Sequence, residues 1–378
     1  MPGKNTNLYI FIVVLCALVF TMITIYASSA EPKRTAGVSA KSAVLYQPDT
    51  DSFLFKKNEN LRLPMASTTK IMTALLALEN SSQTDLVTIP EEAEGVEGSS
   101  AYLRAGDILT MEELTYALLL RSANDAAVAI ACHIAGDVDS FADMMNERAA
   151  SLGLKDTSFK NPHGLDHGEH YTSAHDLALI AAEALKNEDF KKISSTYKKS
   201  FFTDDTTRLY VNHNKLLKSY EGSIGMKTGY TKKSGRCLVG AAERNGLTFI
   251  TVTLDAPNDW QDHKELFDLG FATLEKIELA NVGDYEYTLP VEGGKTNSVN
   301  ISNIDSAEII TEKKEHITEE NIKLSENLSA PIYKGDILGE VVFTLDGEVC
   351  ARVKLIAENN VEIEKKSLIE MIKDRLGL

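Results

Sequence analysis

The feature that most constrains the fold is a pair of β-rich runs, Arg236 to Glu243 and Leu247 to Leu254, joined by a very short turn. The turn contains Asn245-Gly246, and this dipeptide is the strongest short-range signal for an antiparallel hairpin. A third run, Ser223 to Thr228, precedes the pair. Together the three runs predict an antiparallel meander, which other elements must cover on at least one face.

A second hairpin is predicted near the N-terminus, where the runs Ser42 to Tyr46 and Ser52 to Phe55 flank a turn signal at residues 48–51. Helical periodicity dominates elsewhere, over residues 71–80, 109–136, 138–154, 173–185 and 262–277. An antiparallel sheet that takes strands from both ends of this region, with helices around it, satisfies these patterns. The expected class is therefore α+β, for a main domain that spans residues 31–276.

The composition changes at about residue 277. Short alternating runs separated by Gly and Asn replace the helical periodicity, which predicts a small all-β domain over residues 277–364. Seven Lys/Arg against eighteen Asp/Glu make this domain acidic, and we interpret the charges as a solvated face rather than a cation site. Residues 365–378 predict a short amphipathic helix, which either docks on its own domain or lies on a membrane.

The N-terminus predicts export. The run from Tyr9 to Ala27 is almost wholly apolar and follows Lys4, while Ser28 and Ala30 stand at the −3 and −1 positions of a cleavage site. We interpret residues 1–30 as a signal peptide. An uncleaved membrane anchor is the alternative, because the run is nearly long enough to span a bilayer. Under both interpretations the rest of the chain is expected on the extracytoplasmic side of a membrane.

Charge and cysteine content exclude several classes of partner. The 378 residues carry a formal net charge of −16 without a basic cluster, so no nucleic-acid partner is expected. The four cysteines are scattered and lack the spacing of a metal site or a disulfide framework. The expectation is a protein that needs neither a metal nor an organic cofactor.

A serine and a lysine three residues apart, Ser67 and Lys70, stand at the start of the first predicted helix. Residues at i and i+3 share a helix face and can touch. A serine hydroxyl becomes an effective nucleophile beside a base, and a lysine serves as that base only when burial or a neighbouring cation keeps it neutral. The pair alone leaves two interpretations open: a nucleophile with its base, or a helix cap beside a surface lysine.

Two further motifs favour the catalytic interpretation. Ser122 and Asn124 lie in the break between two predicted helical stretches, where a turn can direct both side chains into a cleft. Lys227, Thr228 and Gly229 lie on a predicted strand, where the glycine allows a ligand to approach the backbone closely. Ser-x-x-Lys, Ser-x-Asn and Lys-Thr-Gly occur together in β-lactamases and penicillin-binding proteins.

The chain resembles the low-molecular-mass penicillin-binding proteins that are D-alanyl-D-alanine carboxypeptidases, serine peptidase family S11. The resemblance covers residues 37–364 and includes the wider contexts ASTTKIMTAL, LLLRSANDAA, NPHGLD and GMKTGYT. It implies a β-lactamase/transpeptidase-like domain followed by the small all-β domain. It also implies removal of the terminal D-Ala from peptidoglycan pentapeptide stems, and acylation by penicillins and other β-lactams.

The resemblance further implies a role for each motif residue. Ser67 would attack the penultimate D-Ala carbonyl, and Lys70 would accept its proton. Ser122 would pass a proton to the leaving amine, while Asn124 would hold the peptide amide and the lysine. Lys227 would help to keep the first lysine neutral and would attract the substrate carboxylate.

Substrate contacts are implied for four other residues. Thr228 would bind the carboxylate, and Gly229 would admit the substrate to the strand. The backbone N–H groups of Ser67 and Tyr230 would form an oxyanion hole. His163, in the NPHGLD loop, is a candidate contact at the edge of the substrate, with a purely structural loop turn as an equal alternative.

The chain departs from the family pattern at the carboxylate site. Some members carry arginines on both sides of the Lys-Thr-Gly strand, and His213 and Asp259 align at those positions here. Arg208 and Arg236 are near in sequence without matching the family arginines. The expectation is therefore a carboxylate clamp that depends mainly on the Lys-Thr-Gly strand.

Three alternatives to a carboxypeptidase remain at this level. A class A β-lactamase needs a deacylating Glu between the second and third motifs, and Glu169 and Glu183 lie there without that family's pattern. A non-catalytic penicillin sensor is a second alternative, but it does not explain why all the catalytic residues are present. A D,D-endopeptidase or transpeptidase of the same family is the nearest competitor, because it forms the same acyl-enzyme and differs only in the acceptor.

Overall fold

The computed structural model describes residues 37–202 and 207–365. The predicted signal peptide and residues 366–378 of the predicted tail helix lie outside the described residues, so both stay predictions. In the part of the chain that is described, no helix is both long and apolar enough to cross a membrane.

The main domain alternates strands and helices. In chain order it contains β1 (Ser42–Gln47), β2 (Ser52–Lys57), α1 (Lys70–Asn80), β3 (Leu86–Thr88), β4 (Ile108–Thr110), α2 (Met111–Tyr116), α3 (Asn124–Ala135), α4 (Val138–Ser151), α5 (Ala174–Leu185), α6 (Glu188–Ser195), β5 (Lys198–Phe202), β6 (Thr207–Val211), α7 (Leu216–Ser219), β7 (Ser223–Thr231), β8 (Gly235–Arg244), β9 (Leu247–Leu254) and α8 (Asp259–Thr273). Short 3-10 turns occupy Ala66–Thr69 and Glu91–Ala93, and a π-helical turn occupies Ala117–Arg121.

The central sheet has the antiparallel order β2-β1-β9-β8-β7. Across the join between the two ends of the domain, Ser42 pairs with Leu254. The prediction of a sheet with strands from both chain ends is confirmed. In the hairpin turn Asn245 and Gly246 both have positive φ, 51° and 70°, as the favoured two-residue turn requires. Strand β7 lies at the edge of this sheet.

Helix α1 runs through the interior of the domain, and residues 70–77 are all buried. It packs against α3 and α5, and α5 packs in turn on β1 and β9. Helix α8 also contacts β1, β8 and β9. Strand β1 is buried along its whole length, as expected for a strand with helices over both faces of its sheet.

The C-terminal region is all-β, as predicted. Its strands are β10 (Leu274–Ala280), β11 (Glu286–Glu292), β12 (Ser298–Asn303), β13 (Ala307–Glu312), β14 (Thr318–Leu324), β15 (Leu328–Ser329), β16 (Ile337–Leu345) and β17 (Glu348–Ala357). Strand β10 pairs with β13, and the other six form one sheet in the order β14-β16-β17-β12-β11-β15. The region has its own hydrophobic cluster, distinct from that of the main domain.

The last helix of the main domain ends earlier than its periodicity predicts. The pattern predicts a helix through Ile277, but α8 ends at Thr273 and the chain continues as strand β10. Lys313 N–H donates to the Thr273 carbonyl, and β10 then pairs with β13 along its length. Pairing with a distant strand therefore overrides the local helical pattern. The predicted domain boundary after residue 276 falls inside β10.

Candidate active site

Ser67 lies in the 3-10 turn Ala66–Thr69, which leads directly into α1 at Lys70. Ser67 Oγ and Lys70 Nζ are 3.0 Å apart. The residues at the N-cap positions of the turn and of the helix, Met65 and Thr69, make no side-chain cap bond. The helix-cap interpretation of Ser67 is therefore wrong, because α1 begins three residues later and the serine hydroxyl contacts the lysine amine.

The Lys70 amine is fully buried among three oxygen atoms. They are Ser67 Oγ at 3.0 Å, Asn124 Oδ1 at 2.7 Å and the His163 carbonyl oxygen. The Asn124 amide is oriented because its Nδ2 donates to the Glu97 carbonyl. Carbonyl oxygens only accept hydrogen bonds, and a neutral amine has two N–H donors and one lone pair. In the neutral form both N–H groups are thus taken by carbonyls, and the lone pair is directed at the Ser67 hydroxyl.

The surroundings of Lys70 favour this neutral form. Burial lowers the pKa of Lys70 well below its ordinary value, and the positive charge of Lys227 lowers it further, while Asp125 acts in the opposite direction. Lys227 is itself buried, which lowers its pKa to about 7. The lowered pKa of Lys70 therefore favours an amine that can accept a proton from the serine hydroxyl.

We expect Lys227→Met to move the acid limb of the acylation rate to higher pH. Lys70 accepts a proton only when neutral, so the rate falls as the pH drops through its pKa. Removing the Lys227 charge removes one cause that keeps this pKa low, so the pKa rises and the limb moves up. Rates of penicillin acylation across the pH range measure the shift.

Lys191→Met is the control. It removes an ammonium that pairs with Glu243, and it should leave the acid limb in place. A limb that stays or moves down in Lys227→Met would contradict the coupling.

The second motif lies where a helix is interrupted, as predicted. Helix α2 continues into the π-helical turn, Ser122 follows with φ 64°, and α3 begins at Asn124. Such π turns are frequent at functional sites because they redirect the chain within a helix. The interruption places Ser122 on the wall of a cleft and Asn124 beside Lys70.

Each motif is accompanied by a non-glycine residue in the left-handed backbone region. Ala66 (φ 48°) precedes Ser67, Ser122 belongs to its own motif, and Met226 (φ 83°) precedes Lys227. Such conformations cost on the order of 1–3 kcal/mol each and persist where the surrounding packing imposes them. These are three of the ten non-glycine residues with positive φ in the described part of the chain; six of the other seven are Asn or Asp, which tolerate this conformation.

Strand β7 forms a further wall of the cleft. A Cβ added at Gly229 would lie 3.0 Å from Ser67 N, so the strand and the nucleophile turn are in close contact. Thr228, Gly229 and Tyr230 line the same cleft as Ser67, whose volume is about 330 Å³. Because β7 is an edge strand, its backbone can pair with an extended peptide laid in this cleft.

The NPHGLD loop, residues 161–166, contacts the 3-10 turn that carries Ser67 and the lysine that follows it. The His163 carbonyl accepts from Lys70 Nζ, whereas the His163 ring accepts from Leu165 N–H through Nδ1, within the loop itself. Burial, and then the charge of Lys70, lower the pKa of the His163 ring to about 3, so the ring is neutral. The next residue, Gly164, has φ 90°, and a Cβ there would lie 2.0 Å from the Ala66 carbonyl oxygen. The contact of His163 with Lys70 is thus made by its backbone, and a ring contact with substrate stays a prediction.

Gly164→Ala is expected to lower the melting temperature by several degrees and to slow acylation at the same time. An alanine at positive φ costs about 1 kcal/mol, and here the methyl group must also displace the turn that carries Ser67. Gly153→Ala is the matched control, since its φ is 73° and no atom lies within 4 Å of the added Cβ. Thermal unfolding and penicillin acylation measure both effects. Equal losses in the two variants would contradict a specific role for Gly164.

His170 stabilises the same turn, and no sequence motif indicated this. Its Nδ1 accepts from Lys160 N–H, so in the neutral ring Nε2 donates to Thr69 Oγ1, which in turn donates to the Ala66 carbonyl. Burial lowers the pKa of His170 to about 4, which keeps the ring neutral. Among the described residues, no group of three or more His, Cys, Asp or Glu side chains is arranged to hold a metal ion.

The cleft also contains a cation, Arg236, that does not match the family arginines. Arg236 Nη2 forms a 2.9 Å ion pair with Asp259 Oδ1, and Trp260 and His213 line the same cleft. The Arg236 side chain is 43% exposed. Arg208, in contrast, lies in a separate ion pair on β6 and does not line the cleft. The expectation that the Lys-Thr-Gly strand acts mainly alone therefore omitted a charged neighbour.

The two glutamates considered for a β-lactamase lie in ion pairs outside the cleft. Glu169 is 71% exposed and pairs with Lys160 at 3.3 Å. Glu183, on α5, pairs with Arg148 at 2.7 Å and with Lys186 at 2.8 Å. Neither lines the cleft, so neither is placed to activate a water beside Ser67.

Two family models match the chain. The one described as D-alanyl-D-alanine carboxypeptidase, peptidase S11, matches residues 27–258, and penicillin-binding protein 5, C-terminal domain, matches residues 274–363. The chain is 35% identical to D-alanyl-D-alanine carboxypeptidase DacF from Bacillus subtilis over 378 residues, which covers 95% of this chain and 96% of the relative. It is 32% identical to D-alanyl-D-alanine carboxypeptidase DacA from Haemophilus influenzae, with coverage of 90% and 91%.

Solved structures are similar to 87% of the chain in one case and to 64% in another. Penicillin-binding protein 5 from Haemophilus influenzae matches with a TM-score of 0.63 and 31% identity, over 87% of this chain and 99% of that chain. The Streptomyces K15 DD-transpeptidase matches with a TM-score of 0.60 and 33% identity, over 64% of this chain and 100% of that chain.

Proposed function

The chain belongs to the S11 family of D-alanyl-D-alanine carboxypeptidases, and we propose that it removes the terminal D-Ala of peptidoglycan pentapeptide stems through an acyl-enzyme on Ser67. The observation that carries the acyl-enzyme is the environment of Lys70. Its buried amine lies 3.0 Å from Ser67 Oγ, and two fixed carbonyl groups occupy its remaining positions.

In the acylation step Ser67 Oγ bonds to the carbonyl carbon of the penultimate D-Ala, and the hydroxyl proton passes to Lys70 Nζ. The negative charge that develops on the carbonyl oxygen is stabilised by the backbone N–H groups of Ser67 and Tyr230. The C–N bond then breaks, and the departing amine takes a proton through Ser122. The penultimate D-Ala is left as an ester on the enzyme.

The remaining motif residues hold the reactants in place. Asn124 orients Lys70 through its side-chain oxygen and contacts the peptide amide. Lys227 and Thr228 bind the leaving residue. Water then attacks the ester carbonyl and gives a proton to Lys70, the C–O bond to Ser67 breaks as Ser67 Oγ takes that proton back, and the peptide leaves one residue shorter. No metal or cofactor takes part in these steps.

Two related reactions follow from the same acyl-enzyme. A β-lactam amide acylates Ser67 in the same way, but its leaving amine stays tethered in the opened ring, so deacylation is slow. An amine acceptor in place of water gives transpeptidation, or endopeptidase activity when the substrate is a cross-link. The similarity to the Streptomyces K15 DD-transpeptidase makes transpeptidation the second candidate.

A pentapeptide ending in D-Ala-D-Ala tests the proposal with purified residues 31–378. We expect release of one D-Ala per peptide and slow, covalent labelling by penicillin. If an added amine such as glycine replaces water as the acceptor, so that the peptide product carries that amine, the result would favour the transpeptidase. Labelling without D-Ala release would favour a sensor, and rapid turnover of penicillin would favour a β-lactamase. Either of these last two outcomes would overturn the carboxypeptidase proposal.

We also propose that the protein acts outside the cytoplasm, where its substrate is located. The support is the sequence of residues 1–30 and the amphipathic pattern of residues 365–378. Fractionation of cells after labelling with a fluorescent penicillin should place the protein in the membrane or wall fraction. Deleting residues 366–378 should move it to the soluble extracytoplasmic fraction if the tail contacts the membrane. Recovery of the full-length protein in the cytoplasm would contradict export.

A further inference from the structure

One wall of the cleft is formed by a segment, residues 97–103, that belongs to no helix or strand. Ser99 in this segment lines the cleft together with Ser67 and Ser122. Because the segment has no ladder of backbone hydrogen bonds, other contacts must keep it in place. Two adjacent residues at the start of α3, one of them Asn124 of the second motif, supply such contacts.

The second of these residues, Asp125, binds the segment with both oxygen atoms of its carboxylate. Oδ2 accepts from Ser100 Oγ at 2.6 Å and from Leu103 N–H at 3.1 Å. Oδ1 accepts from Ala101 N–H at 3.0 Å and, within α3, from Ala126 N–H at 2.9 Å. Asp125 is 1% exposed, and all four donors are uncharged groups. Burial of a carboxylate is costly unless such hydrogen bonds are made, so the carboxylate and the segment stabilise one another.

The same carboxylate maintains a strained backbone at Tyr102. This residue has φ 61°, a conformation that bulky side chains rarely adopt, although it is 79% exposed and so gains little from packing. Asp125 accepts from the backbone N–H groups on both sides of it, those of Ala101 and Leu103, and Tyr102 N–H donates to Ser100 Oγ. Strain of this kind persists only where surrounding contacts impose it. The bonds to Asp125 therefore keep the segment in a shape that the chain alone would not adopt.

The segment in turn orients Asn124. The Asn124 side-chain Nδ2 donates to the Glu97 carbonyl, and its backbone N–H donates to the Ser99 carbonyl at 2.7 Å. Gly98 has φ 97°, and a Cβ at this position would lie 2.8 Å from Asn124 Nδ2, so the segment is in close contact with the amide. Asn124 Oδ1 accepts from Lys70 Nζ. A shift of the segment would therefore move the amide that orients the general base.

We propose that Asp125 is a positioning residue for acyl transfer, which keeps residues 97–103 in place as a wall of the cleft and thereby fixes Asn124 beside Lys70. The inference rests on the proposed function, because it concerns the rate at which Ser67 is acylated. Asp125 does not itself line the cleft. It therefore acts through the segment and not on the substrate.

The charge of Asp125 has a second effect, on the general base. Burial lowers the pKa of Lys70 well below its ordinary value, Lys227 lowers it further, and the negative charge of Asp125 opposes both. The rings of His163 and His170, also near Lys70, are neutral, because burial lowers their pKa values to about 3 and about 4. Loss of the Asp125 charge should therefore lower the pKa of Lys70 and move the acid limb of acylation to lower pH. Lys227→Met is expected to move the same limb in the opposite direction.

Asp125→Asn tests the proposal, with benzylpenicillin as the acylating probe. In either orientation of the new amide, its NH₂ group faces at least one backbone N–H group that needs an acceptor. We expect the acylation rate above the acid limb to fall by about 10- to 100-fold, because a misplacement of about 1 Å has effects of this size. The acid limb itself should move to lower pH. Hydrogen exchange in peptides that contain residues 97–104 should become faster, since Ala101 or Leu103 N–H loses its acceptor.

Two further variants separate positioning from a general loss of stability. Ser100→Ala removes one bond between the segment and Asp125 but keeps the charge, so acylation should fall by about 3- to 10-fold while the acid limb stays in place. This variant also decides the question if Asp125→Asn does not fold. Asp137→Asn is the matched control, because Asp137 caps α4 through Ser140 N–H, and it should change neither the rate nor the limb.

Acylation at the wild-type rate in folded Asp125→Asn, or in Ser100→Ala if the former does not fold, would overturn the proposal. Slower acylation with an unmoved acid limb and unchanged hydrogen exchange would also overturn it, as would an equal loss in Asp137→Asn, because both would indicate only reduced stability. A wild-type protein that penicillin acylates but that releases no D-Ala from the pentapeptide would instead overturn the proposed function. The acylation rates of the variants would still test this inference, so the two failures are distinguishable.

Discussion

Ser67→Ala is expected to release no measurable D-Ala from the pentapeptide and to bind no fluorescent penicillin covalently. Alanine offers no oxygen to form the ester, and loss of a serine nucleophile lowers turnover by about 10⁶-fold in a well-studied serine peptidase. We expect a loss of at least about 10⁴-fold here. Stability should change little, because the hydroxyl contacts the Lys70 amine and caps no helix.

Ser195→Ala is the control for this substitution. Ser195 is exposed at the end of α6, and its hydroxyl donates to the Lys192 carbonyl. Its labelling and D-Ala release should match wild type. Covalent labelling that survives in Ser67→Ala would show that another residue is the nucleophile, and the account of the site would then be wrong.

Lys70→Met is expected to lower the rate of acylation by about 10³-fold, within the range found for general bases. Methionine fits the buried space and has no lone pair that can accept the serine proton at neutral pH. It leaves Asn124 Oδ1 and the His163 carbonyl without their donor, and each lost partner costs about 1–3 kcal/mol. The melting temperature should therefore fall, while the protein still folds.

Lys186→Met is the matched control, since the Lys186 side chain is 76% exposed at the C-cap of α5. Stopped-flow acylation by penicillin and thermal unfolding measure the two effects of Lys70→Met separately. Acylation at the wild-type rate in folded Lys70→Met would exclude Lys70 as the proton acceptor. A different base would then have to be found beside Ser67.

Part of the motif geometry could be predicted from the sequence because it is local, whereas the roles of the motif residues came from the family resemblance. Residues three apart at a helix start must be neighbours, so the contact between Ser67 and Lys70 follows from spacing alone. The break between α2 and α3 was likewise visible in the periodicity around Ser122. The burial of α1 and the edge position of β7 bring the three motifs together, and neither can be predicted from the residue pattern.

Backbone contributions to the site could not be predicted. The His163 carbonyl that binds Lys70 belongs to a loop 93 residues away, and a carbonyl group has no signature in the residue type. The close contact between Gly164 and Ala66 is equally hidden, because a glycine in a turn indicates at most that φ is positive. Arg236 was given no role because it does not match the family arginines, and its ion pair with Asp259 forms only once α8 packs on the sheet.

The fold shows the same division between local and long-range information. The meander of β7, β8 and β9 and the N-terminal hairpin carry strong strand and turn signals, and both are confirmed. The predicted end of α8 was wrong because the residues of β10 also fit a helical period. Only the pairing of β10 with β13 decides between a helix and a strand. The two-stranded pairs β3–β4 and β5–β6 were not predicted, since strands of three to five residues give too little alternation.

Mass spectrometry after exposure to benzylpenicillin tests the central claim, an acyl-enzyme on Ser67, most directly. The intact protein should gain the mass of one penicillin, and peptide mapping should place it on the peptide that contains Ser67. A modified peptide elsewhere in the chain, or an unmodified Ser67 in a preparation that releases D-Ala, would contradict the account.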